Sequence, residues 1–192
     1  MNTSPFSLNI VRMSMASCIA VAVVCLALVS NGGEANPAGK INFVAKNAFA
    51  TANGVFHEFS IVDSQITLGE ISKSHVTVEI DVASVDTDSK RRDDHLRTAD
   101  FFEVEKWPTA TVRVHSAEKI EGVRYRAKFD VAIRDARKTI DGEFEIVSEA
   151  PLSVRGSLVI DRMDFTIGTP KTWNPMSITN EVPVTFEATL PD

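Results

Sequence analysis

Cysteine is almost missing from this chain. The 192 residues include two, Cys18 and Cys25, and both sit in the apolar N-terminal segment. Beyond that segment a structural disulfide, a thiolate nucleophile and a cysteine metal site are therefore excluded. Positive charge is in deficit: 20 Lys and Arg stand against 26 Asp and Glu, for a formal net charge of −6. That balance supplies no drive toward nucleic acid or an anionic membrane surface. The chain also lacks a Gly-rich phosphate loop, a G-x-S-x-G elbow, βαβ alternation and any internal repeat.

The N-terminus carries a targeting pattern. Arg12 is the only charged side chain before Glu34, and an apolar run, Ile19–Val29, follows it. The run is short for a membrane span and suits a signal-peptide core. Gly33-Glu34-Ala35 fits the small-x-small cleavage rule. The expected organisation is a signal peptide over 1–35, with Ala38 as a second cleavage point, and one mature domain over 36–192. The mature protein is expected in the periplasm, with secretion or retention on an uncleaved anchor as alternatives, and with no stable membrane span once the signal is removed. A lipoprotein signal is disfavoured because the apolar run follows Cys18 instead of preceding it.

What the rest of the chain has in quantity is period-two alternation, the mark of strands wetted on one side. In Tyr125–Arg134, Tyr125, Ala127, Phe129, Val131 and Ile133 share one face, and Arg126, Lys128, Asp130 and Arg134 the other. His75–Val82, Thr109–His115 and Val182–Leu190 alternate likewise, and weaker strands fit Lys40–Ala48, Val55–Leu68, Gly142–Val147 and Val154–Ile167. Turn signals stand at Asn53-Gly54, Glu121-Gly122 and Asp141-Gly142. About eight short strands predict an all-β antiparallel barrel or sandwich.

One segment breaks the pattern. Residues 88–104 read as a short helical insertion, with Asp88 or Ser89 as N-cap and Asp93 to Arg97 as an i,i+4 pair. Pro108 returns the chain to a strand. The insertion ends on Phe101-Phe102; one ring is expected to line a pocket or plug a barrel end, the other to pack under a loop.

Chemistry-bearing residues are scattered. His57, His75, His95 and His115 show no metal-ligand spacing and read as solvated imidazoles, and Asp86-Thr87-Asp88 lacks the later residues of a calcium loop. No catalytic residue, metal or cofactor is expected. An enzyme acting on a lipid or quinone would need a titratable cluster facing the interior, for which the candidates are His57, His95, Asp100 and Tyr125.

The letter order adds a resemblance. Asp86-Thr87-Asp88, Arg91, Asp93, His95-Leu96-Arg97, Ala99-Asp100-Phe101-Phe102 and Glu103–Thr109 resemble the central motif of the YceI-like family, supported by Phe43–Asn47, Gly54–Phe59 and Asp161–Phe165. The resemblance implies a lipocalin-like antiparallel barrel, typically exported, holding a polyisoprenoid or similar long apolar lipid, with homodimers common. It implies a binding protein and not an enzyme. The chain departs from the family pattern at Asn47, at Thr166 and in the turn Arg134-Asp135.

Joined to the alternation, the resemblance proposes a lining. From the first strands it takes Phe43, Ala45, Val78 and Ile80; from the middle, Val112, Val114, Tyr125, Phe129, Val131 and Phe144; from the last part, Phe165, Val184 and Phe186. Phe102 and Trp173 are placed near an opening. The partner is a long-chain isoprenoid, quinone-like or fatty lipid held for storage, transport or stress protection. The alternative is an interior filled by its own rings, serving as an interaction or stress-response module. Periodicity leaves tunnel and filled core both open.

Overall fold

Alternating side chains organise the chain into one antiparallel sheet that curls round on itself. The structure is a computed structural model, and the residues it describes are 38–168 and 178–190. The expected signal segment and Trp173 lie outside the described residues.

The strands are β1 (Gly39–Lys46), β2 (Thr51–Phe56), β3 (Phe59–Gln65), β4 (His75–Asp81), β5 (Val85–Asp86), β6 (Thr109–Glu121), β7 (Arg124–Ile133), β8 (Ala136–Glu149), β9 (Leu152–Asp161) and β10 (Glu181–Thr189). Their order across the sheet is β3-β4-β6-β7-β8-β9-β10-β1-β2-β5. Among the described residues no helix is long and apolar enough to cross a membrane.

Two kinks reconcile ten segments with the eight strands expected. β2 runs into β3 through His57-Glu58, and β4 into β5 through a 3-10 turn at Val82–Ser84. The kinks are stitched to each other: Asp81 N donates to the Glu58 carbonyl at 2.9 Å and Glu58 N to Ser84 Oγ at 3.1 Å. The β2–β3 path thus pairs with β1 at its start and with β4 at its end, which brings the two edges of the sheet together.

Three glycines fix how closely neighbouring strands can seat their rings. Gly54 and Phe43 are register partners, as are Gly156 and Phe186. A Cβ on Gly54 would lie 2.2 Å from the Phe43 ring, one on Gly142 2.6 Å from the Phe129 ring, and one on Gly156 2.4 Å from the Phe186 ring. This corrects two of the expected turns. Asn53-Gly54 and Asp141-Gly142 lie inside β2 and β8, where glycine makes room for an aromatic ring across the ladder. Glu121-Gly122 is a true turn, with Gly122 at φ 54° joining β6 to β7.

The helical insertion is shorter than 88–104. Helix α1 covers Lys90–Leu96, and turns carry the chain from there to β6. Asp88 and Glu103 take left-handed φ values of 59° and 51°, which a continuous helix cannot contain. Ser89 occupies the N-cap position without a side-chain bond. The expected Asp93–Arg97 pair is replaced: buried Asp93 accepts from Thr87 N at 3.0 Å, while Arg97 donates to the Ala83 and Val85 carbonyls at 2.9 and 2.8 Å. The helical i,i+4 pair is Lys90 with Asp94, at 2.7 Å.

Candidate functional site

Inside the curled sheet is a cavity of about 260 Å³. On this measure a single water takes about 10–15 Å³, so the space is far larger than a packing void. The wall is apolar except at Ser74, His75, His115, Arg162 and Glu187. The interior is therefore not filled by its own side chains.

Alternation explains the wall. Phe43 and Ala45 face in from β1, Val78 and Ile80 from β4, Val112 and Val114 from β6, Phe129 and Val131 from β7, Phe144 from β8, and Val184 and Phe186 from β10. Phe102 joins them from the segment after α1, edge-on to Phe56 at 5.8 Å, and Phe56 lies 5.5 Å from Phe43. Phe101 lines the cavity too, with its ring under Gly168, so both residues of the aromatic pair face the same space.

Two expected lining residues stand elsewhere. Tyr125 is on the inward side of β7, but near its start; it stacks on Phe144 at 5.3 Å, beyond the end of the cavity wall. Phe165 sits on a 3-10 turn at Arg162–Phe165, wholly buried in the core and outside the cavity wall. Residues not foreseen include Ile41, Phe59, Ile71, Leu158 and Ile160. Their alternation was legible in part; the kink at His57-Glu58 and the 3-10 turn holding Ile71 were not.

One end of the barrel is fastened by two arginines. Arg134 stands at φ 56° in the two-residue turn between β7 and β8. It donates to the Phe101 carbonyl at 3.0 Å and to Glu103 Oε2 at 3.1 Å. Gly168 N donates to the Asp100 carbonyl at 2.8 Å, tying the same segment to the loop after β9. Arg162 is 3% exposed and gives its guanidinium to the carbonyls of Ile167, Gly168, Ile178 and Thr179 at 2.7–3.0 Å. Burial draws its pKa below the ordinary guanidinium value, and the Asp161 charge opposes that shift.

Each histidine has its own aspartate. His57 Nε2 lies 3.1 Å from Asp86, His75 3.0 Å from Asp63, His95 3.6 Å from Asp100 and His115 3.0 Å from Asp130. Among the described residues no group of three or more His, Cys, Asp or Glu has metal-holding geometry. Of the four candidates His95 and Asp100 pair with each other, and none of the four lines the cavity.

Comparison with known proteins fits this architecture. The model of the YceI-like domain matches residues 35–190.

The chain belongs to the YceI-like family.

Among curated relatives, a UPF0312 protein of Photorhabdus laumondii is 33% identical over 98 residues, covering 50% of this chain and 49% of the relative. Protein YceI of Escherichia coli O157:H7 is 32% identical over a stretch of the same length, again 50% and 49% of the two chains. The chain thus spans about half the length of the curated relatives it matches. Among solved structures, Burkholderia cenocepacia BcnA superimposes with a TM-score of 0.73 at 22% identity, covering 80% of this chain and 96% of that one. A polyisoprenoid binding domain from Saccharophagus degradans, implicated in plant cell wall breakdown, superimposes with a TM-score of 0.59 at 19% identity, over 81% and 97%. At these identities the structural likeness establishes the YceI-like fold.

Proposed function

We propose that this YceI-like protein is an exported carrier that holds a polyisoprenoid or another long-chain apolar lipid inside the barrel, for storage, transport or stress protection. The observation that carries the reading is the apolar cavity bounded by Phe43, Phe102, Phe129 and Phe186. Each buried methylene contributes about 0.8 kcal/mol, so a chain of about a dozen carbons gains on the order of 10 kcal/mol before ordering costs. Affinity of that kind needs few polar contacts, which matches the wall. The solved polyisoprenoid binding domain of the same fold supports the choice of ligand class.

The reading is one of binding and not catalysis: His57, His95, Asp100 and Tyr125 lie off the cavity wall, and His75 and His115, which reach it, are each paired with an aspartate. The filled-barrel alternative loses its main premise to the cavity volume. A periplasmic location after removal of residues 1–35, and a homodimer, complete the proposal; the apolar run Ile19–Val29 is what supports export.

Native mass spectrometry of protein purified from its own host tests the reading. The expected spectrum shows a retained lipid. Protein that is repeatedly empty, and takes up no long-chain isoprenoid in vitro, overturns it.

A further inference from the structure

Opposite the end fastened by Arg134 and Arg162, strands β6, β7 and β8 finish in an apolar lip. Ile120, Val123 and Val147 are 42%, 54% and 58% exposed there. Local backbone devices put them out. The β6–β7 register shifts between Lys119 and Glu121, which leaves Ile120 over, and the β8–β9 register shifts between Ile146 and Ser148, which leaves Val147 over. A bulge re-aims the side chain it leaves unpaired. Val123 closes the hairpin turn into β7, and its carbonyl accepts from Ile146 N at 3.0 Å. It therefore stands directly across from a residue of the cavity wall.

The lip continues the lumen. Ala117, Phe144 and Ile146 line the cavity, Phe144 stacks on Tyr125 just outside the wall, and the three exposed aliphatic side chains follow. The 3-10 segment Leu68–Lys73, which joins β3 to β4 at the same end, adds exposed Leu68. The outer face of the ladder is covered differently: Arg124 and Arg126 pair with Glu143, and Lys128 with Asp141. On these three strands the exposed large aliphatics are confined to the end. Contiguous exposed apolar surface marks a place of contact with a partner or a membrane. Charge along the margin is mixed and slightly acidic, with Glu118, Glu121 and Glu149 beside Lys119 and Arg124.

We infer, resting on the carrier reading, that this lip is the surface by which the protein docks on a lipid bilayer to take up or deliver its cargo. A long hydrocarbon passing between bilayer and lumen would otherwise cross water. Setting Ile120, Val123 and Val147 among the headgroups gives it an apolar path along β7 and β8. Three short aliphatic side chains bind a surface weakly, which suits a contact that must be broken after each transfer. The acidic balance of the margin directs the contact to zwitterionic headgroups, because anionic ones repel it. A second copy of this chain seated on the lip would bring one acid-rich margin against another.

The test measures how fast a polyprenol passes to the protein from phosphatidylcholine vesicles, and how much is taken up from a dispersed solution without vesicles. Val123→Asp and Val147→Asp are compared with the unaltered protein and with Val159→Asp, which alters a valine of similar exposure, 49%, on the outer face of β9. Melting curves check that all three variants fold. Either lip variant is expected to slow transfer from vesicles by about tenfold or more and to leave uptake from solution unchanged. Val159→Asp and the conservative Val123→Leu should keep the original rate, and adding phosphatidylglycerol to the vesicles should lower it. Lip variants that load from vesicles as fast as the unaltered protein overturn docking at the lip while leaving lipid binding in place. Equal slowing by Val159→Asp overturns it too, as does a rate that rises with anionic lipid. A lip variant that turns a dimer into a monomer at an unchanged vesicle rate assigns the lip to a second copy and overturns the membrane assignment. Failure to take up polyprenol from either source overturns the carrier reading and this inference together.

Discussion

Arg162 reaches across the loop after β9 to Ile178, its Nη2 donating to the Ile178 carbonyl at 2.9 Å while Nη1 holds the Ile167 and Gly168 carbonyls at 2.7 Å. One buried side chain thereby ties Ile167 and Gly168 to Ile178. Two of its partners, Ile167 and Ile178, and Arg162 itself border the cavity. Arg162→Met should remove these bonds and strand several carbonyl groups away from water. The expected loss is about 3 kcal/mol, read as a lower midpoint in urea unfolding. Arg162→Lys should rescue little, because an ammonium cannot span four carbonyls in one plane. An unchanged midpoint in Arg162→Met would show that the clamp contributes nothing.

Glycine substitutions should divide sharply by position. A Cβ on Gly156 would meet the Glu143 carbonyl oxygen at 2.5 Å as well as the Phe186 ring, whereas one on Gly69 would meet nothing within 4 Å. Gly156→Ala is expected to cost about 1–3 kcal/mol by overpacking, and Gly69→Ala to be neutral or slightly stabilising. Thermal melts of the two variants side by side check the contrast.

Two alanines on inward faces should respond differently to a large ring. Ala110 borders the cavity, while Ala127 is 1% exposed and lies outside its wall, opposite Gly142. Ala127→Phe is expected to destabilise the fold by about 1–3 kcal/mol. Ala110→Phe should project into open volume, keep the fold near its original stability and lower the amount of lipid retained. Melting temperature and lipid content of the two purified variants decide the matter.

Acid should weaken the protein through carboxylates that are held ionised. Thr139 foremost, and then His115, hold the Asp130 carboxyl below its ordinary 3.8; the Asp88 backbone N–H, and then His57, do the same for Asp86. A lowered folded pKa stabilises the folded state above the ordinary value, and that contribution is lost as pH falls through the folded value. The stability gap between the unaltered protein and Asp130→Asn should therefore be widest near neutrality and should close as pH falls below the ordinary 3.8 and through the lowered folded value. Urea unfolding across that range reads it directly. A gap that widens in acid would contradict the assignment.

Face and depth are different kinds of information in this sequence. Alternation in Tyr125–Arg134 assigns the inward face correctly, and Ala127, Phe129 and Val131 are 1–2% exposed. It says nothing of how far along the barrel the cavity extends, which is why Tyr125 lies on the right face and outside the wall. The kinks at His57-Glu58 and Val82–Ser84 depend on hydrogen bonds between segments distant in sequence, so two continuous strands and their broken forms read alike. Gly54 and Gly142 read as turns because the rings that need their space lie on other strands. The helix reads too long in the sequence because Glu103 carries no local mark of a left-handed backbone, and Asp88, a residue type that tolerates one, reads equally well as an N-cap.

Gly54, Gly142 and Gly156 have a practical meaning for anyone wishing to change what the barrel carries. Phe43, Phe129 and Phe186 lie back against the wall only because nothing grows from those three positions. A methyl group at any of them would push a ring toward the axis and narrow the bore, although none of the three glycines borders the lumen itself. The calibre of the channel is thus set from behind the rings, and a library aimed at shorter or slimmer cargo would begin there and leave the aromatic residues untouched.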